Sequence, residues 1–170
     1  MEKIKSLIQR IPASSLNLGH NEMIFATPDS LEEFQLGYRI DSGGNSLISN
    51  EKGQWQDSWY VIAHDEMGDP VIMDTALPGN PIFSAPHGRG EWELSLIADS
   101  FISFLQIVYD LEELTVGRTS PAEFETNPIP ERTKKAFLAK IAANNKKAEV
   151  WFWAMWVEED VSLTLKKYSF

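Results

Sequence analysis

Chemistry in a chain needs nucleophiles, bases or metal ligands at usable spacing, and the strongest candidates here are carboxylates. Asp65, Glu66, Asp69 and Asp74 fall within ten positions of one another and could converge on a cation or divide as acid and base. Asp65 and Asp69 could face each other across a turn around Gly68. Yet no register of alternating oxygen ligands closing on a glutamate is present, so a calcium loop is excluded. The three histidines, His20, His64 and His87, are scattered and none belongs to an HExxH pattern, so each is read as structural. His20-Asn21-Glu22 imitates the first half of a zinc deaminase signature, but the cysteine pair that must complete it cannot exist in a chain without cysteine. His87-Gly88-Arg89-Gly90 has two glycines and no helix behind it to receive a phosphate, because Trp92 to Leu96 reads as a strand. No Gly-x-Ser-x-Gly elbow occurs, and Ser14, Ser15 and Ser58 have no assignable base. The expectation is therefore a protein without catalytic residues, metal or cofactor. Its acids are either solvated turn residues or a ridge that binds protein.

The elements that hold those acids centre on Trp59 to Leu96. Trp59–Ala63, Val71–Met73 and Ile82–Phe83 are short β-branched and aromatic runs bounded by turn residues, the pattern of strands covered on both faces. Gly68 and Pro78-Gly79 supply the turns, and connections this short favour antiparallel neighbours. Pro70 and Pro81 cannot donate to a ladder and belong at strand starts. Trp92, Leu94 and Leu96 alternate with Glu93 and Ser95, which predicts a fourth strand with one wet face.

Around this core, Ile4, Leu7, Ile8 and Ile11 predict a short N-terminal helix ended by Pro12. A polar stretch follows. Ser30-Leu31-Glu32-Glu33 fits a capping box opening a turn or two of helix that closes at Gly37. Tyr38–Ile40 and Ser46–Ile48 are readable as edge strands about a Ser42–Asn45 turn. Ser100 should cap a helix whose apolar stripe contains Phe101, Phe104, Leu105, Val108 and Leu111. Ser120-Pro121-Ala122-Glu123 is a second helix start, and Pro128-Ile129-Pro130 a hinge. Residues 130–143 read as a helix, with Arg132, Lys134, Lys135 and Lys140 on a solvated face. Glu149 to Glu158 is apolar in nearly every direction. As a helix it must be widely buried or serve an interface; as a strand it needs cover on both faces. The helix is the preferred reading. The fold class is thus α+β: one domain over 1–170 with an antiparallel or mixed sheet of five or six strands, flanked by N- and C-terminal helices, residues 131–170 forming a helical extension on the same core.

The order of residues in the central stretch resembles the SUKH superfamily, the domain of the fungal cell-wall assembly regulator and of many bacterial relatives. The resemblance is carried by Trp55, Trp59, Gly68, Asp69, Pro70 and Asp74, then His87, Gly88, Gly90 and Trp92, then Ile97, Ala98, Ser100, Phe101, Phe104 and Leu105. It implies a non-enzymatic protein-binding role: either an immunity protein that binds and neutralises a cognate toxin, such as a nuclease, or an intracellular regulatory module.

Charge bears on the partner. Fifteen Lys and Arg against twenty-five Asp and Glu give −10, and the imbalance is local. Through residue 130 there are seven basic residues against twenty acidic ones, and after it eight against five. No Lys or Arg lies between Gly53 and Gly88. Nucleic acid or an anionic membrane would be repelled by such a face and a basic protein attracted. The expected partner surface comprises Asp65, Glu66, Asp69 and Asp74 with His87, Arg89 and Glu91; simple solubility is the competing account of the same charges. The longest apolar run, Val150–Val157, is too short for a bilayer, and no signal-peptide core follows Met1. A cytoplasmic protein is expected.

Overall fold

The computed structural model describes residues 1–49 and 51–158. Its centre is a six-stranded antiparallel sheet in simple meander order: β1 (Ser15–Leu18), β2 (Asn21–Phe25), β3 (Trp59–Asp65), β4 (Pro70–Asp74), β5 (Ile82–Ser84) and β6 (Ser95–Ala98). Helices α1 (Glu2–Ile8), α2 (Phe101–Thr115), α3 (Pro121–Thr126), α4 (Glu131–Asn144) and α5 (Val150–Val157) complete it, with one 3-10 turn at Glu33–Gln35.

Alternation along β3 and β4 sends side chains into two separate cores. Ile62, Ala63, Val71 and Met73 point into the larger one, with Phe104, Trp153 and Val157 from the helices. Val61 and Ile72 point the other way, into a smaller cluster with Trp55 and Ala85 under the 34–58 segment. Ile62 and Ala63 are consecutive yet share a core, because a register shift between Val61 and Ala63 re-aims one of them. Both faces of β3 and β4 are thereby covered, which explains why all five residues of β4 are buried and why these strands read as continuous apolar runs.

Ser100 caps α2 reciprocally with Ser103, its hydroxyl accepting from the Ser103 amide while the Ser103 hydroxyl accepts from the Ser100 amide. Ser120 starts α3 from one side only, its hydroxyl accepting from the Glu123 amide while the Glu123 carboxylate accepts from Thr119, with Pro121 where its missing donor has no consequence. Pro130 precedes α4, and the larger core runs from Ile4 through Ile129, Phe137 and Ile141 to Val157. The apolar segment after Glu149 is helical, and it is wide burial that accommodates it: Trp153, Ala154 and Val157 are fully enclosed, the Trp153 indole donating to the Ile97 carbonyl at 2.7 Å. Asn145 joins α4 to the sheet, donating to the Ile141 carbonyl and accepting from the Asp99 amide. One cation after the linker pairs with the acidic half, Lys140 meeting Asp110 at 2.7 Å, and the Asp99 carboxylate accepts from the backbone amides of Lys146 and Lys147.

Four local expectations are corrected. Tyr38–Ile40 and Ser46–Ile48 are not sheet strands; they make only isolated bridges within their own loop. The edge hairpin is instead β1–β2, in the stretch read as merely polar: Asn17 and Glu22 share one face, while Leu16, Leu18, Met23 and Phe25 are buried on the other, where Asn21 at the edge meets α5. Ser30 does not cap Glu33 but exchanges hydrogen bonds with Thr27. The last strand begins at Ser95, and Trp92 and Leu94 precede it, packed into the smaller cluster with Trp55, whose ring centroid lies 5.1 Å from that of Trp92.

Gln35 is the polar pin of the smaller core. Only 1% exposed, it donates to the carbonyls of Leu31 and Val61 and accepts from the Val61 amide, supplying the 3-10 turn with a strand-like bond to β3. Gln35→Ala strands buried backbone groups and is expected to cost about 1–3 kcal/mol, read by urea denaturation. A loss within a few tenths of a kcal/mol would mean that the segment is not held this way.

Candidate protein-binding end of the sheet

The β3–β4 turn is built by its own acids. Asp65 Oδ1 accepts from the amides of Met67 at 2.9 Å and Asp69 at 2.8 Å, an Asx-type closure that orders the turn while Gly68 takes φ 85°. Asp69 Oδ1 in turn holds the next loop, accepting from the His87 amide at 2.8 Å and from His87 Nδ1 at 2.6 Å. Glu66 reaches to β2, where its carboxylate accepts from the Glu22 amide at 3.0 Å. Each of the three acids therefore spends one oxygen on scaffolding. The other oxygen of each accepts no hydrogen bond among the described residues, and the groups are half-exposed or exposed. Together these contacts gather Asp65, Glu66, Asp69, Glu22 and His87 at one end of the sheet.

Tyr38 registers this concentration of charge. Its hydroxyl donates to the Gly68 carbonyl at 2.7 Å, and burial first, then the charges of Asp65 and Asp69, raise its pKa above the ordinary tyrosine value. The folded state therefore holds this proton more tightly than the unfolded state. Its contribution to stability is complete below pH 10 and is lost as pH rises through the folded value. Ultraviolet titration near the phenolate band should show a tyrosine ionising late. Asp65→Asn with Asp69→Asn should bring that midpoint down only part of the way, since burial remains. An unchanged midpoint would separate Tyr38 from the turn.

The remaining expected site residues are not all brought here. Asp74 pairs across from Trp59 at the opposite end of β4, roughly 13 Å of strand from the turn, and is buried with its carboxylate accepting from the Ala76 amide. It closes the next turn and is not part of an acidic ridge. Glu91 stands over Gly53, where a Cβ would lie 3.2 Å from its side chain, and the adjacent Trp92 amide donates to the Gly53 carbonyl. Arg89 lies 3.9 Å from Glu93, both well exposed. His64 belongs to the packing: it stacks on Phe34 at 5.0 Å and donates to the Asp65 carbonyl. Among the described residues, no three His, Asp or Glu side chains come together so as to hold a metal ion. None of the described helices is long and apolar enough to cross a membrane.

The signature residues share a structural logic. Trp55, Trp59 and Trp92 meet in the smaller cluster, Gly68 and Pro70 shape the turn, Gly88 and Gly90 take positive φ in the loop that Asp69 anchors, and Ser100 starts the helix that places Phe101, Phe104 and Leu105 in the larger core. A family model described as SMI1 / KNR4 family (SUKH-1) matches residues 9–107, more than half of the chain. The chain belongs to the SMI1/KNR4 family. Neither the curated proteins nor the solved structures provide a match. The SMI1/KNR4 match spans β1 to β6 and ends within α2, so α3, α4 and α5 lie beyond it.

Residue spacing alone gave no signal for Glu22, which reaches the turn only through the β2–β3 pairing, with Met23 opposite Asp65. Nor did it show that Phe152, Met155 and Trp156 of α5 would stand beside the same acids, lining a small recess with Asp65, Glu66 and Asp69.

Proposed function

We propose that this SMI1/KNR4-family chain is a non-enzymatic immunity protein that binds a cognate bacterial toxin with a basic surface and neutralises it by occupancy. The observation that carries the reading is the gathering of Asp65, Glu66 and Asp69, from a segment between Gly53 and Gly88 that contains no Lys or Arg, with Glu22 of β2 at one sheet end. A nuclease must present cations to phosphates, so a protein presenting carboxylates in their place can cover that face. The family match also suits a regulatory module that binds partners in signalling; that alternative predicts a partner with no toxic activity to block. The test is capture from the native lysate on the immobilised chain, purification of what is retained, and assay of its activity with and without added chain. Stoichiometric loss of a toxic activity supports the immunity role. A captured partner whose activity is untouched would favour the regulator.

The same reading makes the chain chemically inert. Thermal melting with magnesium, calcium, manganese or zinc is expected to show no saturable shift, whereas a site filled at 100 times its Kd would add roughly 2.7 kcal/mol. A metal-specific rise abolished by Asp69→Asn would revive an enzymatic role.

A further inference from the structure

The face of α5 turned toward β2 and the β3–β4 turn is apolar and only partly covered by the described residues. Trp153, Ala154, Trp156 and Val157 are buried in the core, while Phe152, packed against its edge, and Met155 remain half-buried. Two recesses run along this face and share Asn21, Met155 and Trp156. The wider, about 440 Å³, is walled by Leu18 and Phe124 and bordered by His20, Glu125 and Glu158. The narrower, about 90 Å³, lies between Phe152 and the acids of the β3–β4 turn, with Glu22 at its edge. Asn21 ties the two sides, its amide donating to the Met155 carbonyl at 3.4 Å. Among the described residues, no Lys or Arg lines either recess. The groove is therefore apolar along its walls, with Glu125 and Glu158 beside the wide recess and a denser set of carboxylates, Glu22, Asp65, Glu66 and Asp69, at the narrow one.

We propose that this groove takes a segment of the protein partner in which an apolar side chain precedes an arginine, the apolar group filling the wide recess and the guanidinium the narrow one. This rests on the proposed protein-binding role and deepens it. Charge complementarity selects the occupant: a cation entering between Asp65, Glu66 and Asp69 meets the oxygens that the turn leaves unused, and ring faces at Phe152 and Trp156 suit a planar, weakly hydrated guanidinium better than an ammonium. One consequence concerns specificity. The acids come from strands and turns within the matched SMI1/KNR4 region, whereas the α5 wall lies beyond residue 107. The α5 side chains would then determine which basic partner fits.

The test uses the full chain and a fluorescein-labelled synthetic peptide with a leucine–phenylalanine pair followed by an arginine pair, read by anisotropy. Two control peptides replace the arginines by glutamates or the apolar pair by serines. Saturable binding of the first peptide alone is expected, weakened about tenfold or more, 1.4 kcal/mol or more, by Met155→Lys and by Glu66→Gln, with melting temperatures close to that of the parent. Equal binding of the glutamate peptide, or no binding of any, would overturn the proposal. So would binding that appears only after Leu163→Ser with Leu165→Ser, since that would give the groove to the chain's own last residues. Should the captured toxin be neutralised equally by the parent and by Met155→Lys, the groove is wrong and the immunity role stands.

Discussion

Trp55→Ala and Trp153→Ala should each remove about 3–5 kcal/mol of folding stability, a large part of the roughly 5–15 kcal/mol available to a domain. The two indoles anchor opposite faces of the sheet. Trp55 is 1% exposed and packs edge-on against Trp59 and Trp92, with its Nε1–H donating to the Trp59 carbonyl at 3.2 Å. Trp153 is fully enclosed between α2 and the sheet, beside Phe104. Either truncation leaves a cavity; Trp153→Ala also removes the indole donor of the Ile97 carbonyl, whereas the Trp59 carbonyl keeps its bond from Arg39 at 2.8 Å. Trp92→Ala should cost less than Trp55→Ala, because Trp92 is half-exposed at the rim of its cluster. Denaturant titration of the three variants gives the order directly, and a Trp92 loss exceeding that of Trp55 would contradict the packing described.

The second large effect is kinetic. Asp65→Asn, Glu66→Gln and Asp69→Asn together should slow association with the captured partner by about tenfold or more at low salt and flatten its salt dependence. Folding should be nearly preserved, because Asn and Gln keep the side-chain oxygens that accept from Met67, Asp69, His87 and Glu22. The three charges lie within a Debye length of one another, so their field acts on an approaching basic face as a unit. Equal association rates and equal salt slopes for parent and variant would leave the acids as turn-builders that aid solubility.

Those two roles for one set of acids explain how far the sequence could be read. β3, β4 and β5 were legible because strands covered on both faces must be continuous apolar runs, and Gly68 and Pro70 punctuate them. The Ser100 and Ser120 helix starts were legible because capping is local chemistry. The β1–β2 hairpin was missed because the polar residues Asn17, Asn21 and Glu22 dilute its apolar pattern to two buried residues per strand, and its turn rests on Gly19 alone. At the candidate site, Asp65 and Asp69 were visible as neighbours across a turn. Asp74 seemed to belong with them by number, but strand geometry puts it at the other end of β4. The groove needed α5 and β2 side by side, a long-range juxtaposition for which no local pattern exists.

Hydrogen exchange of the chain alone and in complex with its purified partner tests the central claim most directly. The account expects new protection at the β1–β2 turn, at residues 65–69 and along α5, with little change on the outer face of α2, where Ile102 and Tyr109 are exposed. Protection centred on that α2 face, or around Leu77 and Phe83 at the other side of the sheet, with the β3–β4 turn exchanging as in the free chain, would contradict it.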